Sequence, residues 1–253
     1  MISTYEELQG LAKSGWSLIP IRRDGSKAPA VSWKPYQTRI ASEEELRQWA
    51  AAGYGIGVVC GRISSNFLCL DFDIPGFYEK WERFCVEAGM GELLKTLPLV
   101  QTPDEGRHVY LRCDEAVGGN QKLAMRPGPI DELVQATRPI DTSLPQTAIE
   151  TRGEGGYVVA PGSPSECHPT NRPYRFLRGD FTSVPRLTAG EIKTLISFAR
   201  ALNEHIEPNR VQDGMKTIAA PQSGRLRSGD DFNQRGDVLA LLLKHGWEVV
   251  DHE

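Results

Sequence analysis

Apolar and polar positions along this chain switch between a helical period and a strand period, and the switches outline an α/β domain. Residues 4–13 and 42–52 carry apolar side chains at helical spacing. The second stretch opens with Ser42 followed by Glu43, Glu44 and Glu45. Ser42 and Glu45 have the spacing of a capping box, in which each side chain accepts the other residue's backbone N–H. Residues 16–21 read as a short strand leading into a polar loop, 22–29, that holds Gly25 and Lys27. Strands at 54–60 and 67–73 flank a turn at 61–66. Pro75-Gly76 stops the second strand, and 77–88 returns to helical period through Phe77, Trp81, Phe84, Cys85 and Ala88. Two further strands, 97–102 and 108–112, flank another turn. Residues 114–145 mix glycine, proline and charge with weak periodicity and read as a long insert or lid. Strands return at 146–151, 157–160 and 174–177, the first two joined through Gly153, Gly155 and Gly156 as a tight hairpin. A helix over 189–205 closes the compact part.

This pattern divides the chain into a catalytic-size domain, 1–205, a linker, 206–228, and the start of a helical accessory segment, 229–253. The linker is marked by Pro208, Asp213-Gly214, Pro221 and Ser223-Gly224. The apolar stretch 238–245 has little left to pack against before Glu253, as expected of a longer protein cut short.

Composition adds exclusions. Hydrophobic residues make up 40% and charged residues 25% of the 253, ordinary shares for a water-soluble fold. No apolar run approaches the ~20 residues that span a bilayer. Acidic Glu6 and Glu7 stand where a signal peptide would be basic. A cytoplasmic location without membrane attachment is the expectation. The five cysteines, 60, 69, 85, 113 and 167, are odd in number and never spaced as Cys-x-x-Cys, which excludes a disulfide framework and a zinc knuckle. Cys60 and Cys69 lie in apolar runs and are expected in the core. Cys167-His168 reads as a loop feature. The net charge of −4 hides a division: residues 171–229 hold ten Lys and Arg against five Asp and Glu, a local +5 that leaves −9 elsewhere. Nucleic-acid binding therefore stays open, with weak and salt-sensitive affinity expected.

Three segments carry chemistry. In the strand Phe67-Leu68-Cys69-Leu70-Asp71-Phe72-Asp73 the side chains alternate, so Asp71 and Asp73 share one face. Two adjacent carboxylates at the end of an apolar strand suit a divalent cation; alone, they are equally two solvated acids. In Thr102-Pro103-Asp104-Glu105-Gly106-Arg107-His108 a glycine turn delivers Arg107 and His108, both donors suited to phosphate oxygens, to a strand start. In Ile149-Glu150-Thr151-Arg152-Gly153, Glu150 and Arg152 share a face, either as a surface ion pair or as a third metal carboxylate beside a phosphate ligand.

Taken in order, Leu70-Asp71-Phe72-Asp73, Gly106-Arg107-His108 and Ile149-Glu150 resemble the three motifs of the archaeo-eukaryotic primase superfamily, in particular the bifunctional primase-polymerase domains of plasmids, phages and mobile elements. The flanks resemble it too: Gly15-Trp16 with Pro20, Lys27 and Pro29, Trp33, the run Gly55-Ile56-Gly57-Val58-Val59-Cys60-Gly61, and Gly155-Gly156-Tyr157-Val158. The likeness covers roughly residues 10–180. It departs from the family pattern where Gly106 stands in place of a frequent serine and Glu150 in place of a frequent aspartate, and no ligand set for a zinc stem is found. The resemblance implies a central, mostly antiparallel sheet with flanking helices, related to RNA-recognition architecture. It implies that Asp71, Asp73 and Glu150 bind Mg²⁺ or Mn²⁺, and that His108 with Arg107 holds the triphosphate of an NTP or dNTP, Lys27 and Arg152 being further candidates. It also implies a single-stranded DNA template, with Arg172, Arg175, Arg178 and Arg186 candidates to follow its backbone, and a helicase domain or partner. The oligomeric state is not legible. Competing readings are a nucleotide-sugar transferase using Asp-x-Asp, and a non-catalytic replication initiator that binds DNA and recruits a helicase.

Overall fold

The computed structural model describes residues 4–127 and 145–204. The expected linker and accessory segment, and residues 128–144 of the expected lid, lie outside the described residues. The helices are α1 (Tyr5–Lys13), α2 (Glu43–Ala51), α3 (Phe77–Glu87), α4 (Gly91–Thr96) and α5 (Ala189–Ala201). The strands are β1 (Leu18–Ile21), β2 (Gly55–Val59), β3 (Phe67–Phe72), β4 (Leu99–Gln101), β5 (Arg107–Cys113), β6 (Gln121–Arg126), β7 (Gln146–Arg152), β8 (Tyr157–Val159), β9 (Arg175–Arg178) and β10 (Arg186–Leu187).

Local chemistry explains several helix starts. Thr4 with Glu7, Ser42 with Glu45 and Thr188 with Glu191 each form a complete capping box, satisfying N–H groups that the first turn leaves unpaired. Glu45 does more than cap: it also accepts both terminal nitrogens of Arg39 at 2.7 Å and the Tyr36 hydroxyl at 2.8 Å.

The strands form two sheets. One is three-stranded, β1-β2-β8; the other runs β6-β7-β3-β5-β4-β9, with β10 added parallel to β5. All other pairings are antiparallel, so the expected mostly antiparallel α/β architecture is what the chain adopts. Two local expectations are corrected, and one helix is added. β7 and β8 are not a hairpin: β7 pairs with β3 and β6, whereas β8 crosses to β2. The glycines at 153–156 turn the chain between sheets. Gly153 allows this crossing, because a Cβ there would stand 2.1 Å from the Gly118 carbonyl oxygen. Within the expected insert, residues 121–126 are the strand β6. The short helix α4 precedes β4, with no cap signal at Met90 to announce it.

The large sheet buries both faces. On one, Leu70, Phe72, Val109 and Leu111 pack with Phe77, Trp81 and Cys85 of α3 and with Ile192 and Leu195 of α5. Trp81 is fully buried and its indole N–H donates to the Leu195 carbonyl at 2.9 Å; burying a side chain of that size stabilises the fold by about 3 kcal/mol. On the other face, Phe67, Cys69 and Tyr110 join the residues of the small sheet, with Leu8 of α1 and Leu46 and Trp49 of α2. The polar end of this second face is where the three sequence motifs meet. All five cysteines are buried free thiols, Cys60 and Cys69 in the core as expected.

Candidate active site

β3 is the central strand of the site. Its Asp71 lies directly opposite His108 of β5 on one side and Glu150 of β7 on the other. Side chains directly opposite in neighbouring strands share a face and stand about 5 Å apart at Cβ. One row across three strands therefore reads Glu150, Asp71, His108. Asp73 follows just past the end of β3, where its N–H still bonds the Ala148 carbonyl at 3.0 Å. One carboxylate oxygen from each of Asp71, Asp73 and Glu150 lies within 4.8 Å of the others, so residues 71, 73 and 150 converge as the sequence led one to expect.

Gly106 makes the approach of β5 to β3 possible. A Cβ on it would sit 2.3 Å from the Phe72 carbonyl oxygen and 2.9 Å from the Thr102 hydroxyl, which gives a packing reason for a small residue two positions before the histidine. His108 is buried; its Nε2 is 3.4 Å from Asp71 Oδ1 and its Nδ1 is 3.3 Å from the Tyr110 hydroxyl. Arg152 Nε is 3.3 Å from Asp71 Oδ2, and the same guanidinium pairs with Glu150.

These contacts divide the carboxylates. Burial works to raise the Asp71 pKa, but His108 and Arg152 outweigh it and hold the group below the ordinary carboxylate value. Among the described residues Asp73 makes no such contact, and Arg152 and His108 lower it only from a distance. Crowding by protein atoms, then the charges of Asp71 and Glu150, push it up to about 7, although it is exposed and water screens part of that push. Burial, followed by the opposition of Asp71, also raises Glu150 despite Arg152. Three acids are thus held together with one guanidinium between them, and an all-oxygen donor set of this kind fits a hard divalent cation.

The Asp71 and His108 end of the row, with Asp73, opens into a cleft of about 400 Å³ between the two sheets, while Glu150 stands just outside its lining; the volume is within the range of small-molecule sites. Lys27, Asp71, Asp73, His108 and Arg152 line it. Arg107 does not: it alternates to the helix side of the sheet, where it bonds the Glu105 and Gly106 carbonyls and lies 3.7 Å from Glu79. Strand alternation separates it from His108, so the expected pairing of these two around a phosphate is not formed. Arg178, half-buried, bonds the Leu97 carbonyl, and Arg186, though exposed, bonds that of Cys113; Arg172 and Arg175 are exposed, beside Glu105 and Gln101.

Several cleft residues escaped the sequence reading: Thr102, Asp104, Asn120, His168 and Tyr174. His168 is buried, its Nε2 3.3 Å from Asp104 and its Nδ1 accepting the Thr170 backbone N–H at 3.2 Å. The Tyr174 ring stands between the two imidazoles, 5.7 Å from His108 and 5.9 Å from His168. Nothing near Cys167 distinguished this histidine; only the fold of the 161–174 segment brings it to the cleft.

A sequence model of the family described as bifunctional DNA primase/polymerase, N-terminal, matches residues 8–189. The chain belongs to this prim-pol family. The match runs from α1 to the start of α5 and so takes in both sheets and every residue of the carboxylate row. Membership brings a nucleotidyltransferase activity of the primase/polymerase kind, with DNA and nucleotides as substrates, and the acidic triad of this prim-pol domain is able to bind a divalent metal. No curated protein matches the chain. Among the described residues, no helix is long and apolar enough to cross a membrane.

Proposed function

We propose that this domain joins NTPs or dNTPs on a single-stranded DNA template, with Mg²⁺ or Mn²⁺ held by Asp71, Asp73 and Glu150. The observation that carries this reading is the single row Glu150–Asp71–His108 across β7, β3 and β5, with Asp73 beside it. Bound to those carboxylates, one or two cations would supply activation of the attacking 3′-hydroxyl and neutralisation of the departing pyrophosphate. The chain's own groups do the positioning. His108 offers an N–H to a phosphate oxygen of the incoming nucleotide, and Lys27, on the cleft wall, adds positive charge for the same polyphosphate. Arg152 holds Asp71 and Glu150 in place, so that both point to one locus before any cation arrives. For the template backbone this reading uses the exposed Arg172 and Arg175, together with Arg186, which is exposed while bonding the Cys113 carbonyl. We also propose a helicase domain or partner, and a role in replicating a plasmid, phage or mobile element, on the family resemblance of the motifs.

The test is product formation on single-stranded template with NTPs or dNTPs and Mg²⁺ or Mn²⁺, with and without primer. Asp71→Ala/Asp73→Ala is expected to abolish product. Full-length product from that variant would remove these carboxylates from the mechanism. Template binding without product from the unmodified protein would favour the non-catalytic initiator.

A further inference from the structure

The Tyr110 hydroxyl is buried in the core between the sheets, one row beneath His108 on β5. Its residue has 0% exposure, and phenylalanine rings surround it: Phe67 at 5.1 Å, Phe176 and Phe181 at 6.0 Å. Among the described residues its one hydrogen-bond partner is His108 Nδ1, at 3.3 Å. A hydroxyl that water cannot reach must place its proton on the acceptor available to it, or leave a buried donor unsatisfied. The O–H therefore donates to Nδ1, which leaves Nδ1 unprotonated and puts the ring proton on Nε2. The other side of the ring demands the same tautomer: Nε2 faces Asp71 Oδ1 at 3.4 Å, and a carboxylate oxygen accepts a hydrogen bond from N–H but repels a bare ring nitrogen. Two contacts from opposite directions select one state.

We infer that Tyr110 is a positioning residue for the transfer reaction, fixing His108 in the Nε2–H tautomer, so that its one N–H lies on the Asp71 side of the ring, at the cleft, where an incoming phosphate oxygen takes the place of Asp71 Oδ1 as its acceptor. This rests on the reading that His108 contacts the nucleotide. Tyr174 closes the third side, its ring 5.7 Å away and inclined 38° to the imidazole, so Tyr110 and Asp71 flank the ring at its two nitrogens and an aromatic neighbour limits its rotation. The donor is thus set before a phosphate arrives, and binding does not have to order it.

The test is Tyr110→Phe in the full chain, which removes one oxygen and keeps the ring in its aromatic cage. With ¹⁵N-labelled histidine, two-bond ¹H–¹⁵N spectra of the metal-free protein at pH 8 report the protonation of each ring nitrogen, and His108→Gln identifies the His108 signals by their loss. Wild-type His108 is expected as Nε2–H, with the Nδ1 resonance displaced by an accepted hydrogen bond. Tyr110→Phe should return Nδ1 to the position of a free pyridine-type nitrogen or add the second tautomer. In extension assays the nucleotide KM should rise about three- to tenfold, the net worth of one hydrogen bond, with kcat within about twofold. Tyr110→Phe should add nothing further in a His108→Gln background, since the two act as one unit; a general packing defect would add in both. An Nδ1–H signal in the wild type, or an Nδ1 resonance unmoved by Tyr110→Phe, overturns the inference. A moved resonance with an unchanged KM overturns instead the nucleotide contact of His108 on which it rests.

Discussion

Asp73→Asn should make the metal-free protein more stable while removing its response to metal. The wild-type site brings carboxylate oxygens of three acids within 4.8 Å of one another. At an effective dielectric near 20, two unit charges at that separation repel by about 3.5 kcal/mol. Asp73 is exposed, so water screens its share, and Arg152 offsets part of the rest; about 1–2 kcal/mol is a reasonable net for removing its charge. The sign depends on pH. Asp73 is raised from 3.8 to about 7 in the folded protein, so both states are protonated at low pH and there is no penalty. The penalty grows as pH rises from 3.8 and is complete above about 7. In EDTA at pH 8, Asp73→Asn should melt about 2–8 °C higher than wild type, given about 2–4 °C per kcal/mol for a domain of this size. At pH 4 the difference should largely vanish. Mn²⁺ at a hundred times its Kd should stabilise the wild type by about 2.7 kcal/mol and the variant far less. Thermal melts in EDTA and in Mn²⁺ at the two pH values make the whole measurement. A variant no more stable than wild type at pH 8 in EDTA, or one that Mn²⁺ stabilises equally, would refute the picture of repelling metal ligands.

Other outcomes follow from the same geometry. Gly106→Ala should cost about 2–4 kcal/mol, read by urea melts, because its Cβ cannot stand 2.3 Å from the Phe72 carbonyl oxygen; extension should fall with it as β5 shifts against Asp71. Glu45→Gln should cost about 1 kcal/mol through the α2 cap and the Arg39 contact. The Arg39 contact, helped by the Ser42 N–H, lowers Glu45 from 4.5 to about 2 against the opposing effect of burial. Its stabilising contribution is present above about pH 4.5 and is lost as pH falls towards 2, so the variant should show a shallower acid limb in stability against pH. Lys27→Ala should raise the nucleotide KM more than it lowers kcat, measured by extension at saturating template, whereas Arg107→Ala should leave KM within about twofold because its side chain lies on the helix side of the sheet.

Much of the site was written in local sequence. A strand's period of two is a covalent property, so Asp71 and Asp73 had to share a face, as did Glu150 and Arg152, wherever the strands went. Capping boxes are equally local, and Ser42 with Glu45 marked the start of α2 to the residue. The same period separates Arg107 from His108, so adjacency in the chain does not bring the guanidinium to the histidine's face. What the sequence could not decide was which strand lies beside which. The glycines after Arg152 are as compatible with a hairpin as with a crossing between sheets, and only the packing of β8 against β2 selects the crossing. β6 lacks alternation, its apolar Leu123, Ala124 and Met125 standing in one run, and its pairing with β7 comes from a neighbour fixed elsewhere in the chain. The cleft has the same origin. His168 reaches it, and Tyr110 comes to sit beneath His108 in an aromatic cage that strips its hydroxyl of water, because two sheets close over one another. Side-chain identity and strand alternation set which groups were on offer, while long-range pairing set which of them meet.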